Sequence, residues 1–251
     1  ITCTADIGLM SIEYTCYDGE EGFTQSLCLT NTGVNTLKLN RLEHFIRNFK
    51  TEGKHMSGEQ LHTFLDNIEK THGLYSPPAL GLAAAIACCG FTFLLGGGPI
   101  EMFCAFVGAG IGNYLRCKLT KYHFTLFLCI VSSVSLACFA YAGMLKLGEI
   151  LFGISVQHEA GYICAMLFII PGFPFITSGI DLAKLDMRSG MERLMYALIV
   201  ILVATMSAWI MALILHLKPV NFMKLSLTMS QWILFRIIAS FCGVFGFSIM
   251  F

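Results

Sequence analysis

Charge is what this sequence has least of. Only 13% of its 251 residues are Asp, Glu, Lys or Arg. A soluble domain carries about 25%, enough to coat its surface. An ordinary cytosolic enzyme and a disordered chain are both excluded on that ground. Neither sign is in excess, since 16 basic residues meet 16 acidic ones. A nucleic-acid footprint, which needs a basic surplus gathered on one face, is excluded as well. No CxxC pair occurs among the 11 cysteines, and none has His at ligand spacing. No metal and no cofactor is therefore read from the sequence. What is abundant is apolar: 56% of the residues are hydrophobic and the mean hydropathy is +0.71. The expected class is an integral membrane protein with a smaller soluble portion.

Composition changes sharply at Tyr75-Ser76-Pro77-Pro78, with most of the acidic residues before it. A spanning helix needs roughly 20 apolar residues at 1.5 Å rise each. Six stretches qualify as candidates: 79–95, 99–115, 124–147, 160–176, 194–217 and 232–251. The first two are joined by Gly96-Gly97-Gly98, a tight hairpin, and Pro99 suits the first turn of the second. Lys and Arg in the short loops set orientation. Arg116, Lys118 and Lys121 mark loop 2–3, and Lys184, Arg188 and Arg193 mark loop 4–5. Lys218 and Lys224 in loop 5–6 count mildly against. Loops 2–3 and 4–5 inside place residues 1–77 in the cytoplasm. That side, and the odd cysteine count, argue against a disulfide framework. In apolar helices Cys packs as a small hydrophobe. The chain begins at Ile1 and stops at Phe251 inside an apolar run, so a fragment of a longer protein is expected.

Residues 1–77 read as a small α+β unit. Residues 5–16 alternate as one strand, with an irregularity at Met10, and Asp18-Gly19 is a hairpin turn. Phe23–Thr30 is the return strand. Leu39, Leu42, Phe45, Ile46 and Phe49 recur at helical spacing. A second helix starts at Ser57 with Gln60 three residues on, a capping-box pattern. Its apolar face is Leu61, Phe64, Leu65 and Ile68. Gly73 and the proline pair end it.

Several constellations carry two readings. Gly108, Gly110 and Gly112 superficially look like a nucleotide loop, but they sit inside an apolar helix, where close helix packing is the better account. Ser132, Ser133 and Ser135 either glue helices or line a wet path. The segment Pro171–Gly190 is the most informative. Pro171, Gly172, Pro174 and Gly179 interrupt an apolar helix. Broken helices in lipid survive only where they are buried or line a cavity, and their ends bind ions and carboxylates. Asp181 is then a proton or substrate-amine site, with Thr177 and Ser178 as polar contacts. The plainer reading is a loop with Asp181 and Asp186 solvated beside Lys184 and Arg188. Glu101 is either a helix-dipole partner at its helix start or a carboxylate at a pathway mouth. An intramembrane hydrolase would need a base beside a nucleophile. His123 and His216, both at helix ends, offer none.

The order of these features resembles the threonine/serine exporter family. The resemblance runs over roughly residues 5–217. It passes through Gly33-Val-Asn35-Thr-Leu-Lys-Leu-Asn40-Arg-Leu, Tyr75–Pro78 and Phe93-Leu-Leu-Gly96-Gly97 with Glu101. Pro171-Gly172, Thr177, Asp181, Asp186, Ser189-Gly190 and Arg193 form its most specific block. Two departures stand out. Ile180 occupies a usually basic position, and Leu185 occupies a usual glycine. The last helix looks like the opening of the family's second, smaller membrane module. The resemblance implies export of small amino acids, or of small dicarboxylates in a split-pair branch. It also implies a bacterial inner-membrane setting and proton-motive coupling.

The expected architecture is thus mostly α. It is a polytopic bundle of about six spans after a small cytoplasmic α+β unit, with domains 1–77, 78–217 and 218–251. The coupling candidates are Asp181, Glu101 and, in reserve, Asp186. Expected partners are the lipid bilayer, a small amino acid or carboxylate, protons, a smaller membrane subunit or C-terminal module, and further copies in an oligomer. A non-transporting scaffold is the other rival.

Overall fold

A computed structural model describes residues 2–29, 35–51, 53–71, 75–153, 156–217 and 225–250. Thr30, Gly33, Val34, Gly73, Lys218, Lys224 and Phe251, which carried sequence expectations, lie outside the described residues. The chain divides into two compact units. One joins Ile1–Thr32 to Pro77–Met250, and the other is Gly33–Ser76. The sheet thus groups with the long helices and not with the two short helices that follow it.

The first unit opens with three antiparallel strands in the order β1 (Thr2–Ile7), β2 (Ser11–Tyr17) and β3 (Gly22–Cys28). The single strand expected over residues 5–16 is two strands. Gly8 N donates to Ser11 O at 2.8 Å and closes a turn at the Met10 irregularity. The expected Asp18-Gly19 turn is present, with Gly19 at φ +84, where only glycine sits without strain. Cys3 and Cys16 face each other in the β1–β2 register and are joined as a disulfide. This corrects the expectation of no disulfide: strand pairing brings together two cysteines that the odd total conceals.

The second unit holds α1 (Thr36–Asn48) and α2 (Gly58–Glu69). Asn35 caps α1 by accepting from Leu37 N and Lys38 N, each at 3.1 Å. Ser57 and Gln60 form the expected capping box. Phe45 packs on Phe64 with ring centroids 4.6 Å apart. Phe45 and Ile68 are the buried apolar residues of the pair.

The long helices are α3 (Pro77–Leu94), α4 (Pro99–Lys121), α5 (Leu126–Phe152), α8 (Met187–Ile214) and α9 (Met229–Met250). Between α5 and α8 the chain forms a 3-10 turn (Val156–Gly161), α6 (Tyr162–Ala165), a second 3-10 turn (Leu167–Ile169) and α7 (Gly172–Ala183). Among the described residues, α3, α5, α8 and α9 are long and apolar enough to cross a membrane. The pair Tyr162–Ile169 and Gly172–Ala183, bent by 55°, adds a fifth if counted as one span. The second expected span, α4, is long enough but carries Glu101, Asn113 and Arg116. It packs against α3, α5 and α6, so it needs less lipid-facing apolar surface than an outer helix. The basic residues read as loops lie inside helices: Arg116, Lys118 and Lys121 end α4, and Arg188 and Arg193 begin α8. Long basic side chains reach outward from helix ends, so the helix need not stop before them.

Small residues bring the helices close. A Cβ added at Gly108 would stand 2.8 Å from Ala137 O. One at Gly112 would stand 2.8 Å from Ala137 Cβ and 2.9 Å from Ser133 O. The packing role expected of Gly108 and Gly112 is therefore what the α4–α5 contact shows. Gly110 faces Ala85 of α3. Ser133 is buried and donates to Cys129 O at 2.6 Å within its own helix.

Candidate functional site

The interruption of the apolar helix lies where Pro171-Gly172 places it. Pro171 has no amide hydrogen to continue the helix from Ile169. Its φ of −80 and ψ of 65 precede the first turn of α7. The break frees backbone groups that lipid cannot satisfy. Arg116 meets one of them, donating from Nη1 to Phe168 O at 3.3 Å. Pro174 falls in the first turn of α7, where proline is tolerated. Gly179 lies inside α7 with nothing near its missing Cβ. Pro171 and Gly172 therefore make the break, and Gly179 does not.

Beyond the break, α7 and α8 form a tight hairpin. Asp181 of α7 and Arg193 of α8 pair at 2.6 Å, Nη1 to Oδ2, with side chains 19% and 28% exposed. The plainer expectation of a solvated Asp181 does not describe this half-buried pair. Asp186 has a different task. Its side chain accepts from Ser189 N at 3.3 Å and caps α8. Leu185, just before it, adopts φ +64. Ser178 is buried and donates to Gly190 O at 2.8 Å. Thr177 donates to Phe173 O at 3.0 Å. A Cβ at Gly190 would meet Leu182 at 2.7 Å. Ser178 and Gly190 together hold the two helices at close approach.

The β1–β2 turn reaches the same hairpin. Leu9 N donates to Glu192 Oε2 at 2.6 Å, Ser189 Oγ donates to Ile7 O, and Arg188 pairs with Asp6. The Ser189-Gly190…Arg193 block thus serves three contacts: the sheet, α7 and Asp181.

Glu101 is placed elsewhere. It is 1% exposed. Its Oε2 accepts from Gly98 N at 2.9 Å, at the helix start where a dipole partner was expected. Its Oε1 stands 2.7 Å from Nδ1 of His158. Tyr141 donates to His158 O at 2.5 Å. The sequence offered little signal for His158, which lies in the polar stretch between α5 and α6. A histidine flanked by apolar helices, one residue before Glu159, was the available clue.

The two pairs are far apart. Residues 158–168 run alongside α4: His158 meets Glu101, Ala165 meets Gly108, and Phe168 meets Gly112 and Arg116. From Glu101 to Arg116, fifteen steps along α4 at 1.5 Å each span roughly 22 Å. Asp181 lies past Phe168, so the structure does not bring it to Glu101.

A family model described as "Putative threonine/serine exporter" matches residues 1–216. No curated protein and no solved structure matches the chain. The matched region holds the sheet, the bent span and both acid–base pairs, and within it three helices and one bent pair have the length and apolarity of membrane spans. This multi-pass membrane protein belongs to the ThrE family of threonine/serine exporters.

Proposed function

We propose that the chain exports small amino acids of the threonine/serine kind across the bacterial inner membrane, driven by the proton-motive force. The observation that carries this reading is the half-buried Asp181–Arg193 pair at the end of α7, past the break. A free amino acid has one ammonium and one carboxylate. It can replace the internal pair charge for charge, with Asp181 taking the ammonium and Arg193 the carboxylate. Desolvated charges need such partners, and Arg suits a carboxylate through its planar fork. Thr177 and Ser178 lie on the same helix, their hydroxyl oxygens keeping lone pairs for a substrate hydroxyl. Proton coupling falls to Asp181 and Glu101, with Asp186 in reserve behind its capping bond.

In this reading α4 is a sixth span, shielded by its neighbours, and residues 1–77 are cytoplasmic. Alternating access turns on the bent span. A further membrane module or smaller subunit completes the transporter, which works as an oligomer.

The test is efflux. Exporter-deficient bacteria carrying the gene are loaded with a threonine dipeptide. Threonine, serine and succinate are then followed in the medium, with and without an uncoupler. Efflux of the amino acids that collapses with the uncoupler supports the proposal. Succinate efflux alone replaces the substrate with a dicarboxylate. No efflux of any of the three, with the protein in the membrane, overturns it in favour of a scaffold.

A further inference from the structure

The geometry points to Glu101 and His158 as a proton-binding site that clamps residues 156–165 onto the start of α4, at the opposite end of the bent span from Asp181. Its role in transport rests on the exporter reading, but its chemistry does not.

Glu101 has no solvent of its own. It has one amide donor, Gly98 N, and one imidazole. His158 is the wetter partner, its side chain 11% exposed against 1% for Glu101. With Nδ1–H donating to the carboxylate, Nε2 is the position left for an arriving proton. The proton adds to Nε2, no bond breaks, and the pair passes from net −1 to net zero. That change matters more here than on a surface. A buried carboxylate facing a neutral imidazole remains an uncompensated charge, which is costly. Facing an imidazolium, it gains a charge-assisted hydrogen bond of about twice the ordinary strength. Imidazole is the side chain that makes this exchange near neutral pH.

Among the described residues, the other titratable groups in electrostatic reach of Glu101 are Cys104 of α4, Tyr141 of α5 and Cys164 of α6. Thiols and phenols ordinarily ionise above neutral pH. Thr92 of α3 is buried and donates its hydroxyl to Cys88 O, a contact that carries no charge. Tyr141 bonds the His158 carbonyl in either state, and Gly161 has no room for a Cβ against the Tyr141 ring. The backbone of residue 158 therefore keeps its place while the side-chain bond changes strength. The bent span is thereby tied by one acid–base pair at each end: His158 to α4 and Asp181 to α8.

The experiment is backbone hydrogen exchange of residues 156–165 in the whole protein in detergent, from pH 6 to pH 8.5, corrected for intrinsic exchange. In the wild type, opening rises about tenfold as the proton leaves, the difference between a charged and a neutral hydrogen bond. Glu101→Gln and His158→Gln each abolish the pH dependence. Tyr141→Phe loosens the segment at every pH and keeps the dependence, which separates the proton site from mere packing. A flat wild-type profile overturns the inference. So does a His158→Gln variant that keeps the wild-type slope. Threonine counterflow in proteoliposomes runs alongside. Transport with a flat exchange profile sinks the proton site alone. A sloped profile with no transport sinks the exporter reading and leaves the proton site standing.

Discussion

Arg193 of α8 holds Asp181 of α7, twelve positions earlier, at 2.6 Å across the hairpin. Removing either partner leaves the other charge half-buried and alone. Asp181→Asn and Arg193→Gln should each cost about 1–3 kcal/mol, discounted from a fully buried pair because water reaches both side chains. The double variant should be less destabilised than the sum of the two singles. Thermal unfolding in detergent reads the stability. Uncoupler-sensitive efflux of threonine should be lost in both singles. Wild-type efflux from Asp181→Ala would remove Asp181 from the coupling role.

Gly112 sits against Ala137 and the Ser133 carbonyl, with no space for a methyl group. Gly112→Ala should force α4 and α5 apart and cost roughly 1–3 kcal/mol, as overpacking does. Gly143 of α5 has nothing near its missing Cβ. Gly143→Ala should be neutral, or stabilise by up to about 1 kcal/mol through helix propensity. Equal losses from the two substitutions would show that the α4–α5 contact is looser than described.

Leu185 occupies the left-handed region at φ +64 and is 82% exposed. The left-handed conformation costs a side chain roughly 1–2 kcal/mol, and glycine gives back part of that in unfolded-state entropy. Leu185→Gly should therefore raise stability by about 1 kcal/mol or slightly less. A lowered unfolding temperature would mean that Leu185 makes a contact that outweighs its strain. The family resemblance expects glycine here, and the backbone angle supplies the physical reason.

Of the contacts that tie the β1–β2 turn to α8, two differ in strength. The Asp6–Arg188 pair is about half exposed on both sides, so water screens its attraction. The Leu9 amide donates to the Glu192 carboxylate, a charge-assisted bond. Glu192→Ala should raise exchange at the Leu9 amide about tenfold, whereas Asp6→Asn should change it little. The reverse order would assign the tether to the ion pair.

Much of this architecture is legible in the sequence because its physics is local. Proline has no amide hydrogen, so Pro171 announces the break without help from tertiary structure. Ser57 and Gln60 satisfy each other across one turn, and the glycine spacing of α4 shows its packing face. What escaped depends on partners far along the chain. His158 lies 57 residues from Glu101, and no periodicity links them. Arg193 was visible as a motif residue but not as the partner of Asp181. The basic residues at the ends of α4 and α8 read as loops because hydropathy counts charge and not reach. Met10 marked an irregularity that is a turn, closed by Gly8 N donating to Ser11 O and tethered through the Leu9 amide to Glu192.

The last helix raises a different point, about what evolution is free to change. α9 rests on α3 through Gly90, Gly243 and Gly246, where backbone or ring meets backbone. Only 17% of its most apolar window is buried. Most of its residues, among them Ile233, Leu234, Ile237, Phe241 and Val244, are exposed, while Trp232, Phe235 and Phe247 meet rings of α3. Lipid does not discriminate among apolar shapes as a packed core does. The information in α9 is therefore concentrated in its glycines and in the few side chains against α3, and its outward letters can drift as long as they stay greasy.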